Sequence, residues 1–332
     1  MVQYSEAWCE AHYQFARKMW PQRRRRAEET LIRWKFRGPK SGELEGLLLA
    51  VDENGAVLGQ LGLIPAMLWV NGQVLPCNWA CDLMVDNDVR RMGIASRLFE
   101  VALSRGVVTL GSNPNPAADA TMRRIGFRLA QGPWTMVLPL KPAEVIRWKL
   151  SRRYDFLAPA LGLLAEPGAR LMRWRLHFSG GEIAKEAAWE SLVELIEAAE
   201  RKITCPHIVH DRGFLRWRCE GLEGFNPTLR GWRWGDGYAI TGQSGNSLRV
   251  YDWHAGDETT CQALFRSIYG VARCSKVSTM MTMAQTKAER AWLISLGFLP
   301  MRTRVAVLYH TAQALPEGSR FRYAYYDSDG DI

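Results

Sequence analysis

The sequence predicts an α+β protein in which two tandem copies of one unit each form a mostly antiparallel central sheet flanked by helices. Three observations predict this class: hairpin-connected strands that lead into helices, a loose internal repeat, and a length of 332 residues. That length exceeds the usual size of a single core, and 47% hydrophobic residues are enough to bury two. We place the first unit at 1–140, a basic connection at 141–182 and the second unit at 183–332.

Strands joined by tight turns fill the middle of the first unit. The apolar segments 46–51 and 57–64 flank an Asp-Glu-Asn-Gly turn, and Asn71-Gly72 marks a second hairpin. A helix after the next strand, a buried strand at 106–110, a short helix and a Gly-Phe turn complete the order. The first unit is therefore expected to begin with antiparallel strands and then to alternate between strand and helix.

A basic turn after the strand 81–85 carries the clearest functional signal. Arg90 and Arg91 precede Gly93 and Ala95, and apolar residues with helical spacing follow. A helix N-terminus favours an anion, because its first amides lack partners and its dipole is positive there. The glycine allows close approach to the backbone, and the arginines can add charge-assisted contacts. The pattern predicts a phosphate-binding turn, and an ordinary strand-to-helix turn with surface arginines is the alternative.

The spacing Arg-x-x-Gly-x-Ala directly after a strand resembles the pyrophosphate-binding motif of the GNAT acyltransferases (GCN5-related N-acetyltransferases). The order of predicted elements over residues 4–140 is also similar to the GNAT order. The resemblance implies N-acyl transfer, with acetyl as the expected group, from acetyl-CoA or another acyl-CoA to an amine. The residues that it implies for cofactor binding are Leu83, Met84, Val85, Arg90, Arg91, Met92, Gly93, Ile94 and Ala95.

The resemblance is weaker at the catalytic positions. Asp82 is the best carboxylate for a general base, and a strand residue paired with a nearby arginine is the alternative. Asn113 is predicted to orient the pantetheine or a water, with a turn-forming role as the alternative. Met122 occupies the position of the usual GNAT general acid, a tyrosine. The thiolate therefore leaves without an acid, the second unit supplies one (Tyr251 or Tyr309), or catalysis has been lost.

The internal repeat joins two pairs of segments. The helix around Trp34 recurs around Trp217, and the Gly-Phe turn at Gly126 recurs at Gly297, at offsets of 183 and 171 residues. The second copy lacks the basic turn, and an Asp257-Glu-Thr-Thr sequence stands near the expected helix start, where its carboxylates can satisfy the free amides. We therefore expect the second unit to bind no CoA and to shape one wall of the substrate cleft.

Charge is concentrated in one segment of this chain, whose formal net charge is +9. Residues 141–180 hold eight Lys or Arg against three acids, interleaved with leucines, proline and glycine. One interpretation is peripheral contact with anionic lipid headgroups at a membrane surface. The alternative, which we prefer on sequence alone, is a solvated connection with one apolar stripe docked between the units.

Other partners and compartments are not favoured. Four arginines at 23–26 are predicted to form a solvated face or to steer polyanionic CoA, and no nucleic-acid motif accompanies them. Cys205, His207 and His210 do not have a standard zinc spacing, so no metal is expected. Without a signal-like start or a long apolar run, the chain is expected in the cytoplasm, with its seven cysteines reduced.

The end of the chain suggests an acceptor. Phe321, Tyr323 and Tyr325 alternate as on a strand face, and an Asp-Ser-Asp sequence follows from Asp327. Such endings look like those of GNAT-type proteins in bacterial exopolysaccharide synthesis, which implies an amino sugar or a lipid-linked saccharide precursor as the amine. The alternatives are an inactive acyl-CoA-binding scaffold and a tRNA-dependent aminoacyl ligase, a class that also uses tandem copies of this fold.

Overall fold

A single mixed sheet runs through the protein. The computed structural model describes residues 1–21, 28–39, 46–150, 152–178, 183–221, 229–311 and 319–328. The strands in these ranges are β1 (Val2–Gln3), β2 (Leu47–Val51), β3 (Val57–Val70), β4 (Gln73–Val85), β5 (Val108–Ser112), β6 (Arg128–Pro139), β7 (Lys185–Ala187), β8 (His207–Ile208), β9 (Arg230–Trp234), β10 (Gly237–Ser244), β11 (Ser247–His254), β12 (Thr279–Ala284) and β13 (Leu299–His310).

Helices cover the sheet and follow the predicted order in the first unit. The helices of the described residues are α1 (Cys9–Met19), α2 (Glu29–Arg37), α3 (Ile94–Ser104), α4 (Pro116–Arg124), α5 (Pro142–Lys149), α6 (Ala158–Phe178), α7 (Val193–Glu200), α8 (Arg212–Glu220), α9 (Glu258–Cys274) and α10 (Lys287–Ser295). Within the same ranges, no helix combines the length and the apolar character needed to cross a bilayer.

The strand order is β1-β2-β3-β4-β5-β13-β6-β12-β11-β10-β9-β7, and β8 pairs with β3. Two neighbouring pairs, β4 with β5 and β11 with β12, are parallel, whereas the other named pairs are antiparallel. The predicted α+β class, with a mostly antiparallel sheet flanked by helices, is therefore confirmed.

The last strands of the two halves are exchanged. Strand β6 pairs with β12, so that Trp134 lies opposite Ala284, and β13 pairs with β5, so that Val307 lies opposite Ser112. Strand pairing therefore crosses residue 140, where the first unit was predicted to end. Because each half completes the sheet of the other, we expect neither half to keep a full core by itself.

The repeated segments have matching backbones. Helices α2 and α8 end at Gly38 and Gly221, whose φ angles are 64° and 63°. The rings of Trp34 and Trp217 lie 5.3 Å apart, and Trp217 Nε1 donates a hydrogen bond to the Trp34 carbonyl. The two repeat helices therefore meet in the shared core.

The basic segment 141–182 is helical where the structure describes it. Helix α5 is followed by a 3-10 turn, Arg152–Leu157, and by α6, which contains Pro167. Gly162 lets the two helices approach, because a Cβ at that position would lie 2.4 Å from the Cβ of Ala143. The segment thus forms a packed helical hairpin.

The predicted C-terminal strand is wrong. Among residues 319–328, only isolated bridges occur at Arg320 and Arg322, and Tyr325–Asp327 is a 3-10 turn. The segment forms no ladder because its amides donate to separate elements: Phe321 to the Gln131 carbonyl, and Arg322 to the Pro206 carbonyl. The arginines at 23–26 and the final Asp of the Asp-Ser-Asp sequence lie outside the described residues.

Candidate functional site

A cleft of about 860 Å³ opens between α1, β4, α3 and α4. Eight of the nine residues predicted for cofactor binding line it: Leu83, Met84, Val85, Arg90, Arg91, Gly93, Ile94 and Ala95. The ninth, Met92, is 66% exposed and does not line the cleft. The structure therefore brings strand β4 and the basic turn together on one surface.

The basic turn is fixed by ion pairing at its start and by backbone conformation at its end. Lys18 Nζ donates to Asp86 Oδ2 at 2.6 Å, and this bond holds the pKa of the carboxyl below its usual value. Arg91 and Gly93 have φ angles of 69° and 78°. A Cβ at Gly93 would meet no atom within 4 Å, so the glycine serves conformation here and leaves the helix start open to a ligand.

The start of α3 differs from the start of its counterpart helix in the second half. Among the described residues, no side chain caps the helix, and the first intrahelical bond runs from the Arg97 amide to the Gly93 carbonyl. At the corresponding helix α9, Asp257 Oδ1 accepts from the Thr260 amide at 2.7 Å, and that bond lowers the pKa of Asp257. In the second half, the Asp257 carboxylate thus accepts from a first-turn amide of α9, whereas the N-cap of α3 makes no such bond.

A third arginine reaches the basic turn from α4. Arg124 Nη2 donates to Ser96 Oγ at 2.8 Å, and both residues line the cleft. Sequence reasoning did not include them in the site. The sequence signal that could have identified Arg124 was the Gly126-Phe127 turn, because it marks the end of α4, and this end lies beside the first turn of α3.

The inner end of the cleft lies at a β-bulge. Gln60 pairs with Met84 and Gly62 with Cys81, so Asp82 and Leu83 together oppose one residue of β3. Asp82 has a φ angle of 47°, in the left-handed region. A bulge takes backbone groups out of the ladder. Here the bulge borders an inner space of about 260 Å³, which Ser112 and Met122 also line.

Asp82 is held by a buried ion pair. Its Oδ2 lies 2.6 Å from Lys35 Nζ, and both side chains are more than nine-tenths buried. Gln60 Nε2 donates to the Asp82 carbonyl, and Gln60 Oε1 bonds His12 Nε2. Burial lowers the pKa of His12 and outweighs this hydrogen bond, so the imidazole stays neutral at pH 7. The sequence suggested an arginine partner for Asp82, but the partner is a lysine on α2.

Asn113 faces away from the cleft and pairs with β13. Its side-chain Oδ1 accepts from the Ala306 amide, and its own amide donates to the Ala306 carbonyl, both at 2.9 Å. Tyr251 and Tyr309, the predicted acids of the second half, are buried and line neither part of the cleft. These three residues are therefore not brought together with Asp82.

The Ser112 hydroxyl lines the inner cleft and is linked to two hydroxyls of the C-terminal segment. Met122 packs over β5, where its Cε would lie 2.6 Å from a Cβ at Gly111, and its thioether has no proton to give. The Ser112 hydroxyl donates to Ser328 Oγ at 3.2 Å, and the Tyr323 hydroxyl lies 2.6 Å from the same oxygen. The C-terminal segment thus contacts a residue that lines the inner part of the first half's cleft.

The same segment covers the corresponding part of the second half. Strands β10 and β11 also have a pairing shift, between Ile240 and Thr241. Tyr326 donates to Asp252 Oδ2 at 3.0 Å, and the Tyr325 ring packs against Tyr251. Aromatic side chains therefore occupy the space beside this second bulge.

The histidines at 207 and 210 take part in polar contacts within the protein. His210 Nε2 lies 2.7 Å from Asp327 Oδ1, and its Nδ1 contacts Glu200. Burial opposes its ionisation, but the two carboxylates outweigh burial and raise the pKa of His210 to about 10. In the part of the chain that the structure describes, no group of three or more His, Cys, Asp or Glu is arranged to hold a metal ion.

Comparison with known proteins agrees with this architecture. Residues 6–106 match the family model described as Acetyltransferase (GNAT) domain. GCN5-related N-acetyltransferases from Kribbella flavida and Anabaena variabilis are 13% and 14% identical, with TM-scores of 0.59 and 0.62. The alignments cover 93% and 94% of this chain and 69% and 72% of those chains.

A yeast enzyme shares the fold as well. Saccharomyces cerevisiae N-myristoyltransferase with bound myristoyl-CoA is 12% identical, with a TM-score of 0.56, over 87% of this chain and 75% of that one. No curated protein sequence matches the chain. At these identities the solved structures show the fold alone. Residues 6–106 therefore match the GNAT acetyltransferase domain model, and nearly the whole chain shares the fold of the solved GNAT structures.

Proposed function

We propose that this protein is an N-acyltransferase that moves an acyl group, most simply acetyl, from acyl-CoA to an amine. The observation that carries the proposal is the uncapped, arginine-flanked start of α3, which opens along β4 to the bulge at Asp82 and Leu83. An anion at the helix start and a thioester at the bulge would use both ends of one continuous cleft.

The cleft fits the charge distribution of acyl-CoA. The first amides of α3, with Arg90, Arg91 and Arg124 around them, would hold the diphosphate. The apolar strand residues Leu83 and Met84 would run beside the uncharged pantetheine. When bound, the thioester supplies the acyl group and a thiolate leaving group.

At the bulge, the chain's own groups would orient the reacting atoms. The Leu83 amide is assigned to the acyl oxygen, where a fixed donor stabilises developing negative charge. Asp82 is assigned to the proton of the attacking amine, directly or through one water. Lys35 Nζ, 2.6 Å from Asp82 Oδ2, holds this carboxylate in a fixed direction. As the C–N bond forms and the C–S bond breaks, the amine proton leaves through Asp82.

The Ser112 hydroxyl is assigned as the group that donates to the departing thiolate, because it lines the inner cleft together with Asp82. It lines the inner cleft and joins Ser328 and Tyr323, which act as positioning residues behind it. Ser112→Ala is expected to lower kcat about tenfold, with acetyl-CoA affinity unchanged, because a thiol of modest pKa needs little acid assistance. A pH profile that is identical in the variant would argue against this role.

The acceptor is proposed from the sequence resemblance at the C-terminus. An amino sugar, free or part of a lipid-linked saccharide precursor, is the first class to test. In this proposal the chain has two tandem units, with the second covered by its own C-terminal aromatic residues and taking no CoA. The C-terminal segment would then position the cleft residue Ser112 through its hydrogen bond to Ser328, which Tyr323 also contacts.

Isothermal titration of acetyl-CoA into the wild type and an Arg90→Ala, Gly93→Asp double variant tests the proposal. Micromolar binding is expected for the wild type, and at least about 100-fold weaker binding for the variant, since an anion loses a charged donor and meets a carboxylate. Gly72→Asp with Arg216→Ala is the matched control, because Gly72 has a φ of 81° and equally open surroundings, and Arg216 is an exposed arginine in the second half.

Release of CoA across a panel of amino sugars then separates the alternatives. Binding with release on one acceptor supports acyl transfer. Binding without release on any amine indicates an acyl-CoA-binding scaffold. Failure of the wild type to bind acetyl-CoA contradicts the proposal, and binding of aminoacyl-tRNA instead would identify the tRNA-dependent class.

A further inference from the structure

Within the described residues, helix α6 has one apolar face that is exposed. Leu163, Leu164 and Leu171 are 76%, 79% and 72% exposed, and Trp174 is also more than half exposed. Their spacing places them on one side of the helix, together with Pro167. We call these five residues the α6 face. Single exposed leucines are common on proteins, but four large apolar side chains on one helix side form a patch.

The opposite side of α6 is also apolar, and it is the side that packs. Ala158, Gly162, Ala169 and Leu176 are buried, at spacings that fall on a single side of the helix. A helix that is apolar on both sides is typical of a buried position. The buried side of α6 therefore corresponds to the apolar stripe that the sequence predicted. The leucines of the α6 face belong to a second apolar side, which is exposed.

Positive charge surrounds the α6 face. Arg170 is exposed on its border, and a pocket of about 510 Å³ beside α6 is lined by Lys141, Arg170 and Arg273. Glu166 is the acid in this pocket, and it lies within ion-pair distance of Arg173 and Arg170. Lys141 has Glu144 at 3.7 Å. Arg147, at the end of α5, is exposed as well. Among the described side chains beside the apolar patch, the cations therefore outnumber the carboxylates.

We propose that the α6 face binds the surface of an anionic phospholipid bilayer, with α6 lying along the headgroup region. Leucine and tryptophan side chains would enter the boundary with the acyl chains, while Lys141 and Arg170 would contact lipid phosphates. Charge complementarity favours this occupant over a second copy of the chain. A two-fold contact through the same patch would place like charges opposite one another.

The proposal does not depend on acyl transfer, because the α6 face and the cleft share no lining residue. It does give the acyltransferase a location where lipid-linked acceptors are found. Binding to the bilayer is expected to weaken when the NaCl concentration rises from about 0.1 to about 0.5 M, because salt screens the phosphate contacts.

Co-sedimentation of the full chain with sucrose-loaded vesicles tests the proposal. The wild type is expected to sediment with phosphatidylcholine vesicles that contain phosphatidylglycerol and to stay in solution with phosphatidylcholine alone. A Leu163→Gln, Leu164→Gln, Leu171→Gln triple variant should bind at least about tenfold more weakly, since three apolar insertions are lost. Val74→Gln, Ile294→Gln and Leu299→Gln form the control triple, because they replace exposed apolar residues elsewhere.

Acetyl-CoA titration of both triple variants verifies that the cleft is intact. Three results would overturn the proposal: equal sedimentation with neutral and anionic vesicles, no sedimentation with either, or equal losses in the two triple variants. Concentration-dependent dimerisation that disappears only in the α6 triple variant, without vesicle binding, would assign the face to a second copy instead.

Discussion

Asp82→Asn is expected to lower the kcat of acyl transfer by about 10²–10⁴, the usual contribution of a positioned general base. The affinity for acetyl-CoA should change little, because the phosphate contacts lie at the other end of the cleft. Steady-state kinetics with the best amino-sugar acceptor measures the first effect, and titration calorimetry measures the second. The physical reason is the position of the carboxylate at the bulge, where the amine must approach.

The same substitution should also destabilise the protein, because the buried Lys35 would lose its carboxylate partner. Breaking a buried ion pair from one side costs about 3–5 kcal/mol. Lys35→Met removes the cation and leaves the Asp82 carboxylate buried, so a similar loss in the free energy of unfolding is expected. The Lys35→Met, Asp82→Asn double variant removes both charges, and urea unfolding is expected to show that much of the lost stability returns.

The double variant separates chemistry from structure. If Asp82 accepts the amine proton, stability recovers in the double variant while kcat stays low. If both recover together, Asp82 only holds the bulge and the base lies elsewhere. A single Asp82→Asn variant that folds and retains wild-type kcat would also remove the residue from the mechanism.

His210→Leu is expected to reduce the free energy of unfolding by about 3–5 kcal/mol, because Glu200 and Asp327 would remain buried near each other without the imidazolium. His310→Leu is the matched control, since His310 packs against Phe127 and its ring makes no ion pair within the described residues. Its expected cost is about 1 kcal/mol. Urea unfolding at pH 6 measures both changes.

The stabilisation by His210 should depend on pH in a defined direction. Its pKa is about 10 in the folded protein against 6.5 in an unperturbed histidine, so the folded state holds the extra proton between these values. The contribution is fully present below pH 6.5 and is lost as the pH rises towards 10, at up to about 1.4 kcal/mol per pH unit. The stability gap between wild type and His210→Leu should therefore narrow with rising pH, and a constant gap would contradict the assigned protonation.

Local sequence signals were sufficient for the basic turn. The order strand, Arg-Arg, Gly and helix places its functional groups within about a dozen residues, and helix-end chemistry is set by neighbours along the chain. Eight of the nine residues predicted from that stretch line the cleft. The contrast with Asp257 was also predictable, because a capping carboxylate acts on amides two or three residues away.

Contacts between distant residues were decided only by the tertiary structure. Lys35 meets Asp82 across 47 residues, and Ser112 meets Ser328 across 216. No periodicity or spacing reports such pairs. Asn113 illustrates the same limit. Its position after β5 did not indicate that its backbone amide and its side-chain oxygen would both bond to Ala306 on β13.

By itself, the sequence determined the fold class and the order of strand, basic turn and helix around Gly93, since hydrophobic periodicity, turn residues and helix-end amides are local properties; the repeat and the anion site stay predictions. The tertiary structure decided the exchange of β6 and β13, the burial of the C-terminal segment and the exposure of the α6 face. Each of these depends on which surfaces find partners in the folded chain. An apolar helix has the same sequence pattern whether its second side is covered or free, so only the fold distinguishes the two.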